Sequence, residues 1–425
     1  PDFDIRVDRL AIENLVIAEG VATAQAERVN ALAKVDIREG RALVDAKAQL
    51  GARDRIAVLL DAEPDGDRFD LEADYLAPAG GVLAGLAGFE RGYDARIVGD
   101  GTWRRWRGTA LARRLPGEGE TRAPVPVVAA LQISNDAGKI GVLGRVRPDL
   151  GGEGLLARAV GAKVAVAASF TLADSILEGR AAVISRALDL RGAGVVDLAD
   201  NLVEGARTSA VLRDPDLLGE GWRFEDTRLA ADLEGPFRDM AIKHRLTVGR
   251  LLASGVEAEG LAQEGLARFD GTVLKVPMAL TAERITTGNA YADPRLVKGR
   301  VTGDLTYDFK AQKLAADAAR VVFPGLEGTL ALRGDIPAGA YAIAGPVAAR
   351  GLKIDGAGEM TANAKILVKF GPSVPWSLRA NLAGVLSRIG NDTIVNLAGE
   401  QIRFKGALGV GAGQALVLRD VTIAS

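Results

Sequence analysis

Val164-Ala165-Val166-Ala167-Ala168-Ser169-Phe170-Thr171-Leu172-Ala173 decides the fold class. Val164, Val166, Ala168, Phe170 and Leu172 occupy every second position, with smaller or hydroxylated residues between them. Successive side chains of a strand point to opposite faces, so this spacing gathers five apolar side chains on one side. A helix would scatter them around its axis. The same period recurs along the chain. It runs through Ile5 and Val7, through Val127, Ala129, Leu131 and Ile133, and through Leu274, Val276, Met278, Leu280 and Ala282. Leu305, Tyr307 and Phe309 repeat it, then Ile366, Val368 and Phe370, then Trp376, Leu378, Ala380 and Leu382, and finally Leu416 and Leu418. Gly, Asp, Asn and Pro, the residues of turns, stand between these runs.

A local pattern joins them. Glu39-Gly40-Arg41, Glu178-Gly179-Arg180, Lys298-Gly299-Arg300, Glu327-Gly328-Thr329 and Lys405-Gly406-Ala407 each read as a strand ending at glycine before the next begins. Their spacing is irregular, so this is a degenerate repeat. Helix-like inserts at 81–88, 155–160, 198–202 and 385–389 are too short to form a layer. No Ser/Pro-rich or charged linker divides the chain, and 116–126 reads as one long loop. The expected fold is therefore all-β. It is one continuous elongated sheet over 1–425, curled and solenoid-like, with a hydrophobic concave groove and a few short helices.

Composition narrows the function. Of 425 residues 52 are glycine, and aromatics are only 5 % against 48 % hydrophobic residues. Small aliphatic side chains must line whatever the sheet encloses. With 53 basic and 55 acidic residues the net charge is −2, which lacks the cationic field that nucleic-acid binding needs. There is no cysteine and one histidine, so thiolate nucleophiles and Cys- or multi-His metal sites are excluded. The longest nearly apolar stretch, 164–173, is too short to cross a bilayer as a helix. A chain beginning at Pro1 without an apolar leader reads as a fragment or processed product.

An apolar sheet face without a helical layer has to cover itself by curling. Side chains from opposite walls then either meet in a dry core or leave a trough. A trough of Val, Leu, Ala and Ile suits acyl chains, since burying apolar surface gains about 25 cal/mol per Å². The candidate groove residues are Val127, Ala129, Leu131 and Ile133; Val164, Val166 and Phe170; Leu274, Val276, Met278 and Leu280; Ile366, Val368 and Phe370.

Two stretches carry a resemblance. One is Val7-Asp8-Arg9-Leu10-Ala11-Ile12-Glu13-Asn14-Leu15. The other is Tyr75-Leu76-Ala77-Pro78-Ala79-Gly80-Gly81-Val82-Leu83-Ala84-Gly85-Leu86-Ala87-Gly88, followed by Ile97-Val98-Gly99-Asp100-Gly101-Thr102-Trp103-Arg104-Arg105-Trp106-Arg107-Gly108. Both resemble the TamB family, the AsmA-like inner-membrane component of the translocation and assembly module of Gram-negative bacteria. The resemblance implies a bent sheet, often called a taco fold, with a lipid trough inside. It implies a periplasmic location, an N-terminal inner-membrane anchor lying outside this sequence, and phospholipid acyl chains as cargo. It also implies a TamA-like outer-membrane barrel partner, met through parts that lack a clear match here, and a linked role in outer-membrane protein assembly. On this reading the trough, rather than the dry core, is expected.

Other motifs read as structural. Alternation puts His244 with Ile242, Leu246 and Val248 on the apolar face, with no catalytic partner nearby. It divides Trp103, Arg105 and Arg107 from Arg104 and Trp106. The glycines at 192–194 and 409–413 lack the strand–helix context of a dinucleotide site. Asp65/Asp67 and Asp214/Asp216 flank Gly66 and Pro215, as turn residues do. No catalytic residue, cofactor, metal or nucleic-acid partner is expected. The rivals are a structural or adhesive β-solenoid with a dry core, and a polysaccharide-acting enzyme on a β-helix.

Overall fold

A computed structural model describes residues 4–17, 27–51, 53–63, 65–82, 91–117, 126–147, 155–253, 255–290, 293–354, 358–372, 374–390, 393, 395–396 and 399–424. Strands make up 76 % and helix 3 %, and the 26 strands belong to one antiparallel sheet that is not closed into a barrel. The all-β class expected from the periodicity is therefore the class adopted. The chain divides into two units, Pro1–Leu198 and Ala199–Ser425.

The first unit contains β1 (Ile5–Ile17), β2 (Glu27–Arg38), β3 (Arg41–Leu50), β4 (Asp54–Glu63), β5 (Arg68–Ala77), β6 (Tyr93–Gly101), β7 (Arg105–Arg114), β8 (Val127–Asp136), β9 (Lys139–Val146), a helical turn α1 (Leu155–Val160), β10 (Val164–Ala173), β11 (Ile176–Ile184) and β12 (Leu188–Asp197). Each of β1 to β11 pairs antiparallel with the strand that follows it. Glu39-Gly40, Ala137-Gly138 and Asp174-Ser175 are two-residue turns with positive φ at both positions, 51° and 76°, 51° and 89°, 49° and 66°. Such turns match strand twist and force antiparallel return. They close the pairs Arg38↔Arg41, Asp136↔Lys139 and Ala173↔Ile176.

The second unit contains β13 (Leu202–Leu212), β14 (Trp222–Glu225), β15 (Arg228–Pro236), β16 (Met240–Ala253), β17 (Val256–Phe269), β18 (Val273–Thr286), β19 (Val297–Asp308), β20 (Lys313–Phe323), β21 (Leu326–Asp335), β22 (Ala340–Ile354), β23 (Gly358–Gly371), β24 (Val374–Ser387), β25 (Gln401–Gly411) and β26 (Gln414–Ala424). β14 and β15 together flank β16, β14 against 250–253 and β15 against 241–247. Within this unit the sheet curls on itself. Trp222 of β14 lies 6.3 Å from the Tyr341 ring of β22 and 6.4 Å from Phe370 of β23. Seven strand-to-strand steps separate β14 from β22. At about 20–25° of twist per step the sheet has turned through roughly 150°, which brings one end of β14 over the opposite end of β22.

Three sequence expectations need correcting. Of the five glycine punctuations only Glu39-Gly40 is a turn. Gly179, Gly299, Gly328 and Gly406 lie inside β11, β19, β21 and β25. They leave room for a neighbour's side chain: a Cβ on Gly179 would come within 2.5 Å of Phe170, and one on Gly299 within 2.3 Å of Phe323. The insert at 198–202 is a turn running into β13, and 385–387 belong to β24 with Arg388 at φ 48° behind them. Of the insert at 81–88 and the loop at 116–126, residues 83–88 and 118–125 lie outside the described residues. The helix at 155–160 forms, and the Ser185 hydroxyl donates to its Ala159 carbonyl at 2.7 Å.

The face opposite the apolar rows is charged and cross-linked. Arg41 makes a fork to Asp61 with both nitrogens at 2.7 Å, and Arg68 reaches Asp61 and Asp70 at 2.9 and 2.8 Å. The Arg41 guanidinium holds the Asp61 carboxyl below the ordinary carboxylate range. This face is not purely polar: Leu32, Leu43, Leu59 and Leu111 are exposed on it. Each stands singly opposite a charge, respectively Lys47, Asp61, Asp45 and Arg96, and isolated apolar residues of this kind are ordinary.

Candidate functional site

The candidate site is the apolar face of each unit. Cross-strand register assembles it. In the first unit Ile133, Leu131 and Ala129 of β8 stand opposite Val142, Gly144 and Val146 of β9. Those in turn face Ala168, Val166 and Val164 of β10, and Val166 faces Val183 of β11. In the second unit Leu274, Val276, Met278 and Leu280 of β18 stand opposite Tyr307, Leu305, Gly303 and Val301 of β19. Ile343 of β22 faces Val368 of β23, which faces Leu378 of β24. The candidate residues thus fall into continuous apolar rows, in separate units.

Val127 does not join its row. A register shift between Ala112 and Arg113 sets it opposite Arg113. It is exposed, and Val128 beside it is buried. A bulge of this kind leaves no trace in alternation.

Burial describes the interior. Among the described residues sixteen hydrophobic ones are buried; ten are alanine, five are valine and one is Trp106. Among the described residues no Leu, Ile, Met or Phe is buried, although these are the types most often fully buried in a filled core. Of the candidate groove residues only Val164 is buried, while Leu131, Val166, Met278, Ile366 and Phe370 are all half-buried. At β1 the apolar row opens further, with Leu10 at 50 % and Leu15 at 52 % exposure, and Leu172 of β10 reaches 52 %. The faces are apolar and continuous, and their large side chains remain partly exposed. One constriction interrupts the second unit, where Trp222 meets Tyr341 and Phe370.

Comparison with protein-family models, with curated proteins and with solved structures finds no match.

Two buried polar groups were invisible to alternation. Asp54 at the start of β4 is fully buried. It accepts the Tyr75 hydroxyl at 2.8 Å and the Val82 N–H at 3.0 Å. Gly81 makes this possible, since a Cβ there would lie 1.8 Å from Asp54 Oδ1. The arrangement pins the turn after β5 to the apolar face. Burial, together with the Asp54 carboxylate, pushes the Tyr75 hydroxyl up to about 12. A raised folded value contributes stability below the unfolded value of about 10 and loses it as pH rises through the folded one. Spectroscopic titration near 295 nm should therefore show a tyrosine component ionising at about 12 that is absent in Tyr75→Phe. The same variant leaves Asp54 short of a donor and should cost about 1–3 kcal/mol in denaturant unfolding.

Gln263 of β17 is the second. Pro277 in β18 cannot donate to the ladder. The Gln263 amide fills in, donating to the Pro277 carbonyl at 3.0 Å and accepting the Ala279 N–H at 2.8 Å. His244 sits beside it, with Nε2 3.3 Å from Gln263 Nε2 and Nδ1 3.4 Å from the Ile242 carbonyl. It has the apolar-face position expected, and its neighbours are those of a structural residue. Trp106 is buried while Arg105 and Arg107 are exposed, but the division expected of the whole cluster fails: Arg104 is exposed too, and Trp103 packs with Trp106 on Phe69, because residues 103–104 form the bend before β7 and alternation does not extend through it. Asp214 and Asp216 are in turn chemistry, Asp214 accepting the Asp216 N–H at 3.1 Å and Asp216 pairing with Arg223 at 2.9 Å.

Proposed function

We propose that this chain is a non-enzymatic lipid conduit of the Gram-negative envelope. It carries phospholipid between inner and outer membranes through the periplasm, as its resemblance to the TamB family implies, with a linked role in outer-membrane protein assembly. The carrying observation is the absence of any buried Leu, Ile, Met or Phe among the described residues, on faces that are otherwise continuous apolar rows. Each buried methylene gains about 0.8 kcal/mol. Half-covering a long acyl chain is then worth on the order of 5 kcal/mol, enough to hold it and little enough to let it slide. Headgroups would project from the open seam. The mechanism is passive, and direction must come from elsewhere. A dry structural solenoid accounts less well for half-buried walls.

Native mass spectrometry of the chain expressed in a bacterial envelope tests the reading. Bound masses that solvent extraction identifies as phospholipid are the expected result. A chain that is lipid-free from such a source, and that takes up no fluorescent phospholipid from vesicles, would overturn it.

A further inference from the structure

A depression of about 810 Å³ on β23 to β26 is lined by residues of both faces, with Lys365, Arg379, Asn381 and Arg419 contributed by the face opposite the apolar rows. Two cross-strand rows build it. Lys365 faces Asn381, Asn381 faces Ala407, and Ala407 faces Arg419; in the next row Leu367 faces Arg379, Arg379 faces Gly409, and Gly409 faces Val417. With strands about 4.8 Å apart, Lys365 and Arg419 bracket Arg379 across roughly 14 Å. Ala407 and Gly409 form the floor. They are too small to fill it, and a Cβ on Gly409 would meet nothing within 4 Å. Asn381 and Gln414 add amide donors to the lining, and no Asp or Glu lines it. Lys365, Arg379 and Arg419 have no ion-pair or hydrogen-bond partner among the described residues. Arg41, Arg68, Arg96 and Arg250 on the same kind of face instead point at carboxylates.

We propose that this depression binds a phosphate-bearing anion. Converging cations without counter-charges raise the local positive potential. The guanidinium forks of Arg379 and Arg419 match phosphate oxygens in geometry and bond them as charge-assisted donors. A lipid headgroup and a soluble phosphate ester share this chemistry. Its cations lie on the opposite face from the trough, and the site does not rest on the conduit reading.

The full chain is titrated calorimetrically with inorganic phosphate and with glycerol 3-phosphate. It is also co-sedimented with phosphatidylcholine vesicles, with and without phosphatidylglycerol. Salt-sensitive binding of at least one probe is expected. Binding should fall about tenfold or more in Arg379→Gln and in Gly409→Glu, which sets a carboxylate in open space. Arg180→Gln, the same charge change in the first unit, should leave it intact. Binding to phosphatidylglycerol vesicles alone identifies a headgroup site, and binding to the soluble esters alone a metabolite site. The proposal fails if no probe binds, if Arg379→Gln and Gly409→Glu, both folded by circular dichroism, bind as well as the parent, or if Arg180→Gln loses as much.

Discussion

Val166→Arg and Met278→Arg should each fold and yet lose co-purified phospholipid by about tenfold or more. Both side chains are half-buried on an apolar row, in the first and second unit respectively. Val166 lies between Gly144 and Val183, and Met278 faces Gly303. Neither side chain is fully buried, so a longer one can extend toward solvent without moving the backbone. A guanidinium there would have to desolvate whenever an acyl chain passed, at a cost of several kcal/mol. Each 1.4 kcal/mol is a factor of ten in occupancy. Leucine at either position keeps the wall apolar and should retain lipid. Extraction and quantitation of bound phospholipid, with circular dichroism as the folding control, separates the outcomes. A folded Val166→Arg chain carrying the parent amount of lipid would count against the trough in the first unit, and Met278→Arg tests the second unit independently.

The sequence made some of this legible and hid the rest for physical reasons. Alternation in 164–173, 274–282 and 366–370 is a local property of the backbone. It correctly set Val166, Met278 and Val368 among apolar neighbours. Strand direction was written in the two-residue turns, of which Ala137-Gly138 and Asp174-Ser175 carry the positive φ values of a tight hairpin. Reading every glycine as punctuation concealed it, because most of the quoted glycines sit within strands. The reason a strand keeps a glycine such as Gly179 is Phe170 on the neighbouring strand, a cross-strand fact with no local signature. Val127 failed for a similar reason, since the bulge that displaces it depends on pairing with β7. Asp54 and Gln263 carry no signal in the alternation; their partners Tyr75 and Pro277 are 21 and 14 residues away.

Gly99→Val is expected to destabilise the first unit by about 3–5 kcal/mol, the range of losing a large packed aromatic. Gly99 and Gly108 face each other across β6 and β7, and the Trp106 indole lies over both. A Cβ on Gly99 would come within 2.1 Å of Trp106 Cζ2, and one on Gly108 within 2.3 Å of Cη2. Among the described residues Trp106 is the one large aromatic that is buried. Its ring also meets Phe69 edge-on at 6.3 Å, and Phe69 meets Trp103 at 4.6 Å. A valine at 99 therefore evicts the ring and loosens the aromatic group around it. The claim is that ring and glycine are energetically one object, and a double-mutant cycle examines it. In a Trp106→Ala background the valine still crowds the Arg107 carbonyl, 2.7 Å from the new Cβ, so a residual cost persists. The larger part should vanish with the ring, leaving a coupling of about 1–3 kcal/mol in denaturant unfolding. Equal costs for Gly99→Val in both backgrounds would mean that the glycine serves its own backbone, and that the ring lies over it without depending on it.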